Sequence, residues 1–180
     1  DVNLTMSIDG SVLLFAMEGR DSRGGADLYV SFRQGEHQWS EPVNLGNDIN
    51  TVHDEVTPWL SDDMRSLYFS SDRSTGKGGR DIYLCYRIGK GWQEWESARA
   101  LVSPINTPFD DTQPAFNPHT GQLFFTSNRR GSLDIFRVQL APPNPITVRV
   151  VGRVYHARTL EPLGATIQVS PRKDKGYPGS

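Results

Sequence analysis

The 180-residue sequence contains one cysteine, no run of 18 apolar residues and no long block of charge of one sign. A lone thiol excludes an intrachain disulfide and a CxxC metal site, and the apolar run 81–87 around Cys85 predicts a buried side chain. Without a long apolar run, no membrane-spanning helix is expected. The net charge of −2 argues against binding to nucleic acid, which requires a basic surface.

Sequence patterns typical of catalysis are also missing. The four histidines are scattered, and neither an HExxH motif nor a G-x-S-x-G elbow is present. The glycine-rich segment STGKGGR (74–80) precedes a predicted strand rather than a helix, and no Ser or Thr follows Lys77. We therefore predict a hairpin loop there, a chain without enzymatic activity, and neither a cofactor nor a metal ion.

The sequence does contain a repeat of about 50 residues. Phe15, Phe69 and Phe125 begin three similar segments and are 54 and 56 residues apart. The segments are FAMEGRDSRGGADLY (15–29), FSSDRSTGKGGRDIY (69–83) and FTSNRRGSLDIF (125–136). Similarly, INTVHDEVTPWLSDD (49–63) returns as INTPFDDTQPAFNPH (105–119). A period of this length with short apolar runs indicates small β-units packed side by side.

Each copy divides into four short apolar runs separated by turn residues, which predicts four antiparallel strands per copy. Four such strands form a propeller blade. We therefore predict an all-β chain with three blades, at about 3–56, 57–111 and 112–140, the third lacking its fourth strand or receiving it from elsewhere. Three blades cannot close a ring, so a ring of about six to eight blades would need others from upstream sequence or another chain.

The composition changes after residue 140. Residues 141–145 (APPNP) are predicted to form a stiff linker, because proline cannot continue a strand ladder. The alternating pattern that follows predicts the first strands of a second, truncated β-sandwich domain within 146–180.

Two stretches resemble known families. WLSDDMRSLYFSSDRSTGKGGRDIYLCYR (59–87), preceded by INTVHDEVTP (49–58), resembles the TolB-type WD40-like propeller repeat in its bacterial envelope form. It departs from the Ser-x-Asp-Gly pattern at Met64, although all three copies stay compatible with a turn. GRVYHARTLEPLGATIQV (152–169) resembles the opening of a carboxypeptidase-regulatory-like, transthyretin-like domain. This succession is similar to the layout of OmpA-family envelope proteins of Bacteroidota, some of which belong to the type IX secretion and gliding machinery.

The resemblance implies a non-catalytic protein-interaction scaffold in the periplasm, associated with the outer membrane. Its partners would be envelope proteins, secretion-machinery subunits among them, and peptidoglycan would be reached only through a domain outside this chain. Two other interpretations stay open. One is the propeller of a hydrolase, either cleaving glycosides or sialosides or gating a peptidase. The other is a glycan-binding propeller.

Charged residues recur where chain connections are expected on one face of the blades. Acidic pairs precede the innermost strands, arginines leave two second strands, and Arg20 has a nearly equivalent place. These candidates are Asp54, Glu55, Asp110, Asp111, Arg20, Arg73 and Arg129. They could form ion pairs between blades, bidentate ones included, a polar docking face around a central channel, or an arginine ring for a carboxylate sugar. The docking interpretation predicts that replacing Arg73 and Arg129 weakens partner capture without unfolding.

Seven further positions carry specific expectations. Trp92 has no equivalent in another copy and stands beside a glycine turn, so it is predicted to be an exposed interface anchor. Trp39 and Trp95 are equivalent between copies and predicted to be core between blades, as is Trp59 on an innermost strand. A recurring aspartate at 27, 81 and 134 is better explained by hydrogen bonds to turn N–H groups than by a metal site.

Overall fold

The computed structural model describes residues 3–140 and 155–161, and every regular element in these ranges is a β-strand. The strands form three separate antiparallel sheets, which confirms the all-β prediction. In the described ranges, no helix capable of crossing a membrane occurs. The chain divides into two compact units, residues 1–145 and 146–180.

Each sheet is a meander of strands in chain order. Sheet 1 contains β1 (Leu4–Met6), β2 (Val12–Met17), β3 (Asp27–Phe32) and β4 (Val43–Asn44). Sheet 2 contains β5 (Glu55–Leu60), β6 (Ser66–Ser71), β7 (Asp81–Tyr86) and β8 (Arg99–Ala100). Sheet 3 contains β9 (Asp111–Asn117), β10 (Gln122–Ser127) and β11 (Asp134–Gln139). Each sheet therefore corresponds to one copy of the sequence repeat.

The register of the strands repeats with the sequence. Three phenylalanines pair with an aromatic residue across the second and third strands of each sheet: Phe15 with Tyr29, Phe69 with Tyr83, and Phe125 with Phe136. The loop 74–80 joins the antiparallel strands β6 and β7, as the hairpin prediction required. Residues that are equivalent in the sequence repeat therefore have equivalent cross-strand partners.

Sheet 3 agrees with the prediction that the third copy lacks its fourth strand or receives it from elsewhere. The described residues give it three strands, in the order β11-β10-β9. The strand that pairs with β3 in sheet 1 and with β7 in sheet 2 has no counterpart beside β11 in the described ranges. The predicted linker, 141–145, lies outside the described residues.

The predicted second β-domain also falls mostly outside the described residues. Of 146–180, only 155–161 are described, and they form a turn in which the Leu160 N–H donates to the His156 carbonyl. The sandwich therefore stays a prediction.

The turns between first and second strands explain the departure at Met64. Gly10, Met64 and Gly121 all have a left-handed backbone, with φ of 68°, 57° and 67°. In each turn the N–H of this residue donates to a carbonyl three or four residues earlier. Met64 adopts the conformation that glycine adopts most easily, so all three copies make the predicted turn.

Two apolar clusters lie between consecutive sheets. The first contains side chains of sheets 1 and 2, and the second contains side chains of sheets 2 and 3. Alternation along the strands supplies these side chains, because successive residues point to opposite faces. Cys85 belongs to the first cluster with 1% of its surface exposed, as predicted, and burial raises the pKa of its thiol.

Two short segments, which we call the connectors, join consecutive sheets: 49–51 and 105–107, both Ile-Asn-Thr. The Asn50 amide donates to the Leu28 carbonyl and accepts from the Leu28 N–H, each at 2.9 Å. Asn106 makes the same two bonds to Ile82 at 2.9 Å. Each connector asparagine therefore continues the hydrogen bonding of the preceding third strand before the chain enters the next sheet.

We predict that Asn50→Ala lowers the free energy of unfolding by about 1–3 kcal/mol, because it leaves the buried Leu28 N–H without a partner. Urea denaturation followed by tryptophan fluorescence measures the change. Asn47→Ala, at an exposed position, is the control and should lie within about 0.5 kcal/mol of the parent chain. Equal midpoints for the two variants would contradict the role of the connector.

Candidate functional site

The first acid–arginine pair is buried inside sheet 2. Glu55 is fully buried, and its carboxylate accepts four hydrogen bonds. Two come from Thr51, through the backbone N–H and the hydroxyl, both at 2.7 Å. The others come from the Ser71 hydroxyl and from Nη2 of Arg73, both at 2.9 Å. Arg73 also donates to the carbonyl of Ile49 at 2.6 Å, so the pair is bonded to the connector.

The second pair repeats this arrangement in sheet 3. Asp111 is fully buried and accepts from the backbone N–H and hydroxyl of Thr107, at 2.7 and 2.8 Å. Nη2 of Arg129 donates to Asp111 and to the carbonyl of Ile105. Nε of Arg129 donates to the Ser127 hydroxyl at 2.9 Å. Acid, serine and arginine thus recur with the connector threonine as one four-residue unit.

Both guanidinium groups lie over stacked aromatic rings. Arg73 is 4.5 Å from the ring centroid of Tyr83, and this ring stacks on Phe69 with centroids 5.7 Å apart. Arg129 is 4.6 Å from the ring centroid of Phe136 in the same way. A planar cation that stacks on a ring while its edge donates hydrogen bonds is a property of arginine rather than lysine.

The ion pairs differ from the prediction in two respects. Each lies within one sheet rather than between sheets, and each uses a single guanidinium nitrogen rather than a bidentate contact. Arg73 and Arg129 keep only 10% and 18% of their side-chain surface exposed, so little of either cation is accessible to a ligand. The prediction that both arginines can be replaced without unfolding is not tested by this geometry, but from the burial of both side chains we now expect their replacement to lower stability.

Arg20 does not occupy the position of these arginines. Counting forward from Phe69 and Phe15, the residue equivalent to Arg73 is Gly19, and it lies against the Tyr29 ring. The Tyr29 hydroxyl donates to Asp21 at 2.7 Å. Arg20 is exposed, and the described residues give it no hydrogen-bond or ion-pair partner. A shift of one residue in the loop after β2 thus separates Arg20 from the recurring unit.

Asp54 and Asp110 link each sheet to the loop of the preceding one. Asp54 accepts from the Ala26 N–H at 3.0 Å, and Asp110 accepts from the Arg80 N–H at 2.9 Å. The carbonyls of Ala26 and Arg80 accept in turn from the first residue of β5 and of β9. Arg80 also pairs with Asp54 at 2.8 Å. The acidic pairs therefore have two separate roles, one between sheets and one within a sheet.

The recurring Gly-Gly pairs fit against these acids. A Cβ on Gly25 or Gly79 would overlap the carboxylate of Asp54 or Asp110, and a Cβ on Gly78 would overlap the backbone of Pro108. The close approach of the Asp54 and Asp110 carboxylates and of the Pro108 backbone therefore explains these glycines without a phosphate ligand.

Asp27 and Asp81 accept from turn N–H groups as predicted, whereas the described residues give Asp134 only the Ser132 hydroxyl, at 3.2 Å. Asp81 is fully buried and accepts from the backbone N–H groups of Lys77 and Gly78. Burial raises the pKa of its carboxyl, against those two hydrogen bonds. Asp27 accepts similarly from the Arg23 N–H. Within the described ranges, no cluster of three or more His, Cys, Asp or Glu could hold a metal ion.

The tryptophans lie between sheets to different degrees. Trp95 is 2% exposed and belongs to the core, as predicted, whereas its equivalent Trp39 is half-buried. Trp92 is half-buried rather than exposed, with its ring 5.9 Å from Phe32 of sheet 1 and under the Arg87 guanidinium at 4.4 Å. That Trp92 anchors an interface stays a prediction, and it concerns only the part of the side chain that remains exposed.

Sequence reasoning missed two features. One is the contribution of Thr51, Thr107 and Ser71 to the buried carboxylates, although the threonine and the serine are the same in the second and third copies. The other is a groove of about 640 Å³ between sheets 2 and 3. Aromatic side chains of both sheets form the floor of this groove. How much of each side chain is exposed depends on how the sheets pack, and the sequence pattern does not specify this packing.

We predict that Gly78→Ala lowers the free energy of unfolding by about 1–3 kcal/mol, because the new methyl overlaps the Pro108 backbone. Gly35→Ala is the matched control, since its Cβ would have ordinary contacts at 3.6 Å or more. Urea midpoints measure both variants. A midpoint for Gly78→Ala equal to that of the control would show that the loop moves away at no cost.

We predict that Arg73→Ala lowers the free energy of unfolding by about 3–5 kcal/mol, because Glu55 is left buried without its cation. Arg73→Met combined with Glu55→Gln should recover part of this loss, since no buried charge remains. Arg20→Ala is the control and should change stability by less than about 0.5 kcal/mol. Equal loss in the single and double variants would contradict the assigned role of the charge.

Comparison with known proteins assigns this chain to no family. No family model matches the sequence, and no curated protein matches it.

Proposed function

We propose that the three sheets are consecutive blades of a β-propeller that acts as a non-catalytic protein-interaction scaffold. The main support is the burial of equivalent residues. Leu60 of β5 is 5% exposed because it packs in the cluster between sheets 1 and 2, whereas its equivalent in β1, Met6, is 55% exposed. Ile82 of β7 is fully buried, whereas its equivalent in β11, Ile135, is 78% exposed. Both outer sheets thus carry apolar surface that a further blade would cover.

The arrangement of the buried acids and arginines favours the scaffold interpretation over the hydrolase interpretation. A retaining glycosidase needs two carboxyls about 5–5.5 Å apart in an open cleft. Glu55 and Asp111 are fully buried and saturated with hydrogen bonds, and their arginines are bonded to the connectors. The hydrogen bonds of these acids and arginines therefore serve to hold the sheets and their connectors together.

The location of the scaffold follows from the sequence resemblance. Repeats of this type, followed by a domain start of the carboxypeptidase-regulatory kind, are similar to envelope proteins of Bacteroidota. We propose that this chain is periplasmic, associated with the outer membrane, and binds other envelope proteins, including subunits of a secretion or gliding complex.

Thiol protection tests the propeller. Met6→Cys should react with maleimide slowly in the full-length protein and at least about tenfold faster in the 180-residue chain, because a neighbouring blade covers it only in the former. Ile88→Cys, at a 67% exposed position, is the control and should react fast in both. The buried Cys85 keeps the background low. Equal Met6→Cys rates in both proteins would reject the proposal.

Fractionation tests the scaffold. The full-length protein should sediment with the outer membrane and elute after mild solubilisation as a complex larger than itself. Recovery as a free monomer from the soluble fraction would reject the proposed location and role.

A further inference from the structure

The first strands of the three sheets, β1, β5 and β9, lie side by side and border a recess of about 310 Å³. Its walls include the ring of Trp59 and two prolines, Pro58 and Pro114. None of the described residues that line this recess is charged. The recess therefore offers a ligand apolar surface and neutral polar groups, without an ionic contact.

An uncharged hydrogen-bonding residue of each copy lies at this recess. Asn3, Thr57 and Gln113 are equivalent in the repeat, 54 and 56 residues apart, and all three line the recess. Thr57 and Gln113 lie where the register of β5 and β9 shifts, with a left-handed backbone of φ 50° and 53°. Such a bulge re-aims a side chain and interrupts the strand edge, so recognition by side chains is favoured over addition of a further strand.

Internal hydrogen bonds use these polar groups to different extents. The Thr57 hydroxyl donates to the Ser70 hydroxyl at 2.8 Å and accepts from the Gln113 N–H at 3.3 Å. Oε1 of Gln113 accepts from the Thr126 hydroxyl at 3.2 Å. The described residues give no hydrogen-bond partner to Nε2 of Gln113 or to the side-chain amide of Asn3. Two amide groups at the recess thus keep hydrogen-bonding capacity for a ligand.

We propose that this recess binds a sugar unit of a neutral glycan. A side-chain amide donates to one hydroxyl group and accepts from another, which suits the neighbouring hydroxyls of a sugar ring. Trp59 and the two prolines supply apolar surface for the C–H face of that ring. A carboxylate or sulfate sugar is disfavoured, because the ion would lose water without gaining a cation. This ligand goes beyond the proposed scaffold, whose partners are proteins.

A glycan panel tests the inference. The probes are immobilised oligosaccharides of glucose, galactose, mannose or N-acetylglucosamine, each beside a version that carries a uronic or sialic acid. The labelled 180-residue chain should bind at least one neutral probe. Its Kd for that probe should be at least about fivefold lower than for the acidic version.

Matched variants locate the binding. Asn3→Ala and Gln113→Ala should each weaken it about fivefold, because each removes one free amide. Gln34→Ala, at an exposed position outside the lining, is the control and should bind like the parent chain. Equal urea midpoints for the three variants would show that a loss of binding does not come from unfolding.

Nuclear magnetic resonance gives a second readout. The indole N–H signal of Trp59 should shift as the bound neutral oligosaccharide is added. The signal of Trp95, which is 2% exposed and outside the lining, should stay in place.

Three results would overturn the inference: no neutral probe binds, acidic and neutral versions bind equally, or Asn3→Ala and Gln113→Ala leave binding unchanged. Binding of an uncharged Gly-Ser peptide in place of the glycans, lost in Gln113→Ala, would overturn it in favour of a polypeptide main chain. Thiol protection of Met6→Cys in the full-length protein is measured apart from glycan binding, so the propeller and the glycan site fail separately.

Discussion

The rest of the structure depends on the hydrogen bonds that the two Ile-Asn-Thr connectors make. Each asparagine bonds both main-chain groups of one residue in the preceding third strand, and each threonine bonds the buried acid of the next sheet. The isoleucine carbonyl accepts from the arginine that neutralises this acid. Three consecutive residues therefore satisfy polar groups in two sheets at once. This fixes the position of one sheet against the next, since a shift would leave buried donors unpaired.

Glu55 and Asp111 are stabilised because each accepts hydrogen bonds from its connector threonine besides that from its arginine, whereas Oδ1 of the buried Asp81 has no partner among the described residues. Removing a carboxylate from water is costly, and a cation alone rarely offsets this cost. Here Glu55 and Asp111 also accept backbone and hydroxyl hydrogen bonds, while the arginine faces lie on aromatic rings. The same saturation explains why these groups favour a structural role. A catalytic or ligand-binding carboxylate needs a free lone pair in an accessible cleft.

Exposed apolar side chains are concentrated where the repeated contacts between sheets end. Met6 and Ile135 occupy positions that are buried in the neighbouring sheet. Apolar surface of this kind is typical of interaction sites when it is contiguous and bordered by polar groups. In the proposed scaffold, the surfaces available to partners thus lie where the packing between sheets ends.

The sequence by itself determined the strands and their arrangement in repeated copies. The spacing of Phe15, Phe69 and Phe125 and the recurrence of Asn-Thr, Gly-Gly and acidic pairs are local signals, because turn chemistry and side-chain alternation act within a few residues. Only the tertiary structure decided which acid met which arginine, that Arg20 stands outside the unit, and that Trp92 packs on Phe32. These outcomes depend on shifts of one residue and on contacts between sheets, where loop length and packing choose among side chains that the pattern leaves equivalent.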